Sequence, residues 1–189
     1  MVNQIAFYDD PLRFTKNIHA LCDEIEERIK SGIGVAKNST PRILVSGFPM
    51  ALPNWKIPPI IETSGAVVMA EESCVGERST RDLVGETGKT FDQMIDAIVD
   101  RYFKIDCDCF TPNEERTDHI LDLAKKFKAD GVIHYNIQFC TPYTVEAYKV
   151  EKAVQGAGIP FLKIETDYGM EDMGQLKTRV EAFREMMRG

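Results

Sequence analysis

Four short runs, each too apolar to leave a face for water, divide this chain: Arg42-Ile-Leu-Val-Ser46, Ala66-Val-Val-Met-Ala70, Val132-Ile-His-Tyr-Asn-Ile-Gln-Phe139 and Ile159-Pro-Phe-Leu-Lys-Ile164. Stretches of helical periodicity separate them. Strands buried on both faces and joined through helices imply an α/β domain whose mostly parallel four-stranded sheet is covered on both sides. Ile43 to Ser46, Val67 to Ala70, Val132 to Ile137 and Phe161 to Ile164 are expected to pair in one sheet.

Ahead of the first strand, Pro11 to Ser31 places Phe14, Ile18, Leu21, Cys22, Ile25 and Ile29 at helical spacing, so residues 1–40 read as a helix and linker and 41–189 as the α/β domain. Later helices are expected from Ile57 to Thr63, after the capping box Thr90-Phe-Asp-Gln93, after Thr111-Pro112-Asn113, after Thr141-Pro142, and from Met173 to Met187.

Composition excludes several classes. A hydrophobic share of 43% with 28% charged residues is ordinary for a globular chain, and no apolar run approaches the roughly 20 residues of a membrane span. The net charge of −7 argues against nucleic-acid binding. Without a basic start and a long apolar stretch at the N-terminus, a cytoplasmic address is the default. There the five cysteines, Cys22, Cys74, Cys107, Cys109 and Cys140, should stay reduced.

Position separates these thiols. Ligands of such a sheet bind outside the carboxyl ends of its strands. Cys74 follows the second strand, Cys140 follows the third, and Cys107 and Cys109 lie on the connection between them, so three loops could aim thiolates at one point. Cys22 instead sits among Ile18, Leu21 and Ile25 and reads as a packing residue. Neither the paired Cys-x-x-Cys and nearby histidines of a zinc site nor the ferredoxin cysteine run is present, so spacing alone does not name a metal. His134 reads as a core residue, and Glu71 and Glu72 as solvated strand-end carboxylates. Arg78 and Arg81 are candidates for a coenzyme A phosphate.

The segments Glu72-Ser-Cys74-Val-Gly76-Glu-Arg78, Cys107-Asp-Cys109-Phe-Thr-Pro112-Asn113, Gln138-Phe-Cys140-Thr-Pro-Tyr and Gly158-Ile-Pro-Phe-Leu-Lys-Ile-Glu165-Thr-Asp167-Tyr occur in the order of the 2-hydroxyacyl-CoA dehydratase and benzoyl-CoA reductase family, whose D-component this chain closely resembles. The resemblance covers about residues 10 to 189 and matches the C-terminal half of a subunit about twice as long. It implies a Rossmann-like three-layer domain, an oxygen-sensitive iron–sulfur cluster at a domain junction, and electrons supplied by a separate ATP-dependent activator. In the family Cys140 falls on a ligand position, while Cys74 and Cys107 fall on cysteine positions of the branch resembling double-cubane cluster proteins. That branch performs low-potential reductions.

The expected cofactor is therefore a 4Fe–4S or double-cubane cluster held by Cys74, Cys107 and Cys140, with Cys109 open as an alternative to Cys107. Expected partners are the missing N-terminal domain or a second subunit in a homo- or heterodimer, the activator, and an acyl-CoA substrate, with no nucleic acid and no membrane. Alone, the chain is expected to be an inactive dehydratase-like lyase or reductase component that need not retain a cluster. An apolar patch around Phe48, Met50 and Trp55 should mark where the absent half sits. The competing reading is a non-catalytic α/β binding or assembly module with buried structural cysteines.

Overall fold

Asp10 caps the first helix, its carboxylate accepting from the Arg13 amide at 3.0 Å, and Pro11 occupies the first turn of α1 (Pro11–Lys30). The computed structural model describes residues 9–49 and 55–187, and the chain divides into two compact units, Met1–Thr40 and Pro41–Gly189. In the first unit α1 is the only element among the described residues. It buries no residue, and Cys22 is exposed rather than packed. An amphipathic stripe needs a second layer to bury against, and the described residues of that unit supply none.

In the second unit the apolar runs form β1 (Arg42–Gly47), β2 (Val67–Glu72), β3 (Gly131–Ile137) and β4 (Phe161–Thr166). They make one sheet in the order β2-β1-β3-β4, and every pairing is parallel. The helices are α2 (Ile57–Thr63), the single turn α3 (Arg78–Arg81), α4 (Phe91–Tyr102), α5 (Glu114–Lys126), α6 (Thr141–Gly156) and α7 (Met173–Met186). This is the Rossmann-like three-layer arrangement: α2 and α7 cover one face, α5 and α6 the other. Among the described residues no helix is long and apolar enough to cross a membrane.

Strand alternation sorts side chains onto these faces. Ile43, Val45, Ile133, Tyr135 and Ile164 pack with Ile57, Ile60 and Ile61 of α2 and Leu176, Val180 and Phe183 of α7. Each fully buried aliphatic side chain here contributes about 1.5–3 kcal/mol over its exposed state. Opposite them Leu44 and Val132 pack with Ile120, Leu123 and Ala124 of α5 and Val150 and Val154 of α6. Toward the carboxyl edge that second face changes character: Leu44 gives way to Ser46, and Val132 to His134 and Asn136, all buried.

The sequence leads one to expect Cys74 and Cys140 on neighbouring strand-end loops of one edge; the edge is shared, but the position of β1 keeps their strands apart. β2 and β3 are not neighbours, because β1 pairs with both, placing Ser46 beside Glu72 on one side and His134 on the other. At its end Gly47 has φ +114, and a Cβ there would fall 2.1 Å from the Tyr135 carbonyl oxygen, so only glycine allows the strand to exit. The chain leaves β1 at the switch point, where connections diverge toward opposite edges.

Candidate metal centre

Three loops on the carboxyl edge carry the predicted thiols. After β2 a tight turn holds Cys74: Gly76 N donates to Ser73 O at 3.1 Å and Glu77 N to Glu71 O at 3.0 Å. A Cβ on Gly76 would lie 2.4 Å from the Glu71 carbonyl oxygen, so the turn requires glycine. After β3, Gln138 N donates to Thr166 O at 2.8 Å, and Phe139 adopts φ 66, a left-handed backbone that aromatic residues seldom occupy. Cys140 then stands at the N-cap of α6. In the third loop the Cys107 carbonyl accepts from Phe110 N at 2.9 Å and from Asn113 Nδ2 at 3.0 Å. Asn113 precedes α5 as expected, yet its amide makes no cap and binds this loop instead.

Beneath the loops lies a buried ionic network that local sequence did not reveal. Glu72, expected in solvent, is 0% exposed. Its carboxylate accepts from Ser46 Oγ at 2.8 Å and pairs with Arg78 Nε at 2.7 Å and Arg116 Nη2 at 3.1 Å. Arg116, also 0% exposed, pairs in turn with Glu146 of α6, whose other oxygen accepts from Asn113 Nδ2 at 2.6 Å. Two guanidinium groups thus face two carboxylates, the pairing that makes burial of such charge tolerable. Burial is the largest influence and works against the charge of Arg78, but Glu72, Tyr143 and Cys74 together outweigh it and the pKa rises.

Arg78 and Arg81 are therefore not free for a phosphate. Arg78 is buried, and Arg81 forms a two-pronged pair with Asp106 at 2.5 and 2.7 Å. Burial would raise the Asp106 carboxyl, yet those bonds from Arg81 hold it below the usual range. Tyr143 of α6 is packed edge-on against Phe48 with centroids 5.8 Å apart, and burial pushes its phenol pKa up. Phe48 consequently belongs to the interior of the edge. Trp55 is exposed as expected, and Met50 lies outside the described residues.

Over this base the thiols open outward. Cys74 and Cys109 are exposed and Cys107 and Cys140 partly so; none of the five cysteines is buried, which contradicts their reading as core packing. The Sγ atoms of Cys107 and Cys109 and a carboxylate oxygen of Asp108 lie within 4.8 Å of one another. Thiolates bound at about 2.3 Å to a tetrahedral metal stand about 3.8 Å apart, so small side-chain adjustments would bring these donors onto one ion. Burial, with the Asp108 carboxylate beside it, pushes the Cys107 thiol up to about 11. Partial loss of hydration in its turn also raises Cys74, against the opposing charge of Arg78. Exposed apolar side chains ring the same edge: Phe110, Phe139, Tyr168 and Met170.

A family model for the 2-hydroxyglutaryl-CoA dehydratase D-component matches residues 1–187. The chain belongs to that family. Among curated relatives, the candidate dehydratase subunit YjiM of Escherichia coli is 38% identical over 78% of this chain and 38% of that protein. The (R)-phenyllactyl-CoA dehydratase beta subunit of Clostridium sporogenes is 26% identical over 98% of the chain and 47% of that protein. The (R)-2-hydroxyglutaryl-CoA dehydratase beta subunit of Acidaminococcus fermentans is 27% identical over 77% of the chain and 38% of that protein. The chain thus spans less than half the length of the curated relatives it matches. Two soft sulfur donors with one hard carboxylate beside them in one loop, and two further thiols on the same edge, suit a thiophilic metal that displaces the thiol protons on binding.

Proposed function

We propose that this domain is the cluster-holding part of an iron–sulfur redox component in a 2-hydroxyacyl-CoA dehydratase or benzoyl-CoA reductase-like system. Cys74, Cys107 and Cys140 would hold a 4Fe–4S or double-cubane cluster, with Cys109 able to replace Cys107. The observation that carries the reading is that three thiol-bearing loops leave one edge of a parallel sheet above a shared buried network. When bound, such a cluster supplies one-electron chemistry at low potential. The protein's own part is to hold thiolates outward and keep the base of the site dry. Glu72, Arg116 and Glu146 fill that base.

The exposed Phe110, Phe139, Tyr168 and Met170 support a partner covering the edge, either the rest of a longer subunit or a second subunit. An ATP-dependent activator would donate the electron, in the reduced cytoplasm of an anaerobic cell. A cleft of about 410 Å³ beside Cys109, apolar at Phe110, Pro142 and Val145, would admit the acyl part of an acyl-CoA. The test is anaerobic reconstitution with ferrous iron and sulfide. The chain should turn brown and bind both elements in similar amounts, and alanine at Cys74, Cys107 or Cys140 should remove most of each. A chain that stays colourless, both alone and mixed with the uncovered portion of the Clostridium sporogenes subunit, would sink the proposal.

A further inference from the structure

Arg78 lies four residues beyond Cys74, on the single turn that closes the Cys74 loop, and its side chain is 3% exposed. Its three guanidinium nitrogens point to three different places. Nε meets the Glu72 carboxylate at 2.7 Å, two residues before Cys74. Nη1 donates to the Asp106 carbonyl at 2.5 Å, in the peptide that leads into Cys107. Nη2 donates to the Tyr143 hydroxyl at 3.2 Å, one turn into the helix that Cys140 begins. Arg116, buried in the same network, reaches Glu72 and Glu146 and has no direct bond to the Cys107 segment.

We propose that Arg78 is the positioning residue of the thiol site, a planar fork that ties the Cys74, Cys107 and Cys140 segments into one arrangement. The inference rests on the cluster-holding reading for its purpose, though not for its geometry. One planar guanidinium here combines two hydrogen bonds, from Nη1 and Nη2, with an ion pair at Nε, an arrangement that an ammonium on a flexible stem cannot reproduce. Arg78→Lys therefore keeps the charge and removes the geometry. Tyr143→Phe removes one prong only.

The experiment compares the wild-type chain with Arg78→Lys, Tyr143→Phe and the control Arg42→Lys, all prepared anaerobically and checked for native circular dichroism. Alkylation of each cysteine is followed by mass spectrometry in the metal-free chain, then iron, sulfide and the electron paramagnetic resonance spectrum after reconstitution. Arg78→Lys should speed modification of Cys107 and Cys140 by about three- to tenfold, the scale of one lost hydrogen bond, and leave Cys22 unchanged. It should also lower retained iron and sulfide and alter the spectrum, while Tyr143→Phe speeds Cys140 alone. Unchanged rates, or unchanged iron content and spectrum, in Arg78→Lys would overturn the proposal, as would equal acceleration of all five cysteines. Should Arg78→Lys fail to fold, Tyr143→Phe decides on the same criterion at Cys140. If the wild type binds neither iron nor sulfide, both alone and mixed with the uncovered portion of the Clostridium sporogenes subunit, the cluster reading falls, and the alkylation rates still judge the fork.

Discussion

The two faces of the sheet solve burial in different ways. On the face covered by α2 and α7, alternating strand residues meet isoleucine, leucine, valine and aromatic side chains along most of the strand length, with buried Lys56 and Thr166 meeting Asp172 at the carboxyl edge. On the face covered by α5 and α6 the apolar packing ends partway, and Ser46, Glu72, His134 and Asn136 take over under the thiol loops. The first face depends mainly on volume and shape. The second needs specific partners for every charge, and that requirement fixes where its loops lie.

Arg116→Met tests this difference most severely, since it leaves Glu72 and Glu146 without their shared cation. Urea unfolding should show a loss of about 3–5 kcal/mol, together with faster alkylation of Cys74 and Cys140. A loss below 1 kcal/mol would mean that the network is dispensable. On the opposite face Ile61→Ala should cost about 2–4 kcal/mol as a cavity and leave thiol reactivity unaltered. Equal changes in reactivity from both substitutions would erase the distinction between the faces.

The polar face should also impart a pH dependence through its buried imidazole. Burial first, and then the nearby charges of Arg116 and Lys163, lower the pKa of His134 to about 3. The unfolded chain, with an imidazole pKa near 6.5, then binds a proton that the folded one refuses. Stability should fall as pH drops from about 6.5 toward 3, by about 1.4 kcal/mol per unit within the window. Denaturant titrations from pH 7 to pH 5 should reveal this slope, and His134→Asn should flatten it. A smaller effect is expected of Asn113→Ala, about 1 kcal/mol with faster modification of Cys107 and little change at Cys74.

The strands and most helix limits were legible because they depend on residues close in sequence: the apolar runs, the Thr90 to Gln93 capping box, and the prolines that open α2 and α6. Strand order was not, since the insertion of β1 between β2 and β3 is decided by packing across the domain. The placement of Cys74 and Cys140 on one edge followed from the parallel strand rule, but their separation by β1 did not. Glu72 beside Glu71 has the local look of solvated charge. Its partner Arg116 lies 44 residues away, and nothing in the sequence links the two. Amphipathic stripes misled in the opposite direction. Phe91, Met94, Ile95, Ile98 and Val99 line α4 at core spacing and remain exposed, as does Cys22 on α1, because periodicity states which face is apolar without stating what covers it.

The central claim, that Cys74, Cys107 and Cys140 act as one ligand set above the buried network, is tested most directly by site-resolved alkylation of the anaerobic chain before and after iron and sulfide are supplied. The account predicts that these three thiols become protected together, with or without Cys109, while Cys22 reacts as fast as before. Five cysteines that react identically in both states, or protection confined to Cys107 and Cys109, would contradict it.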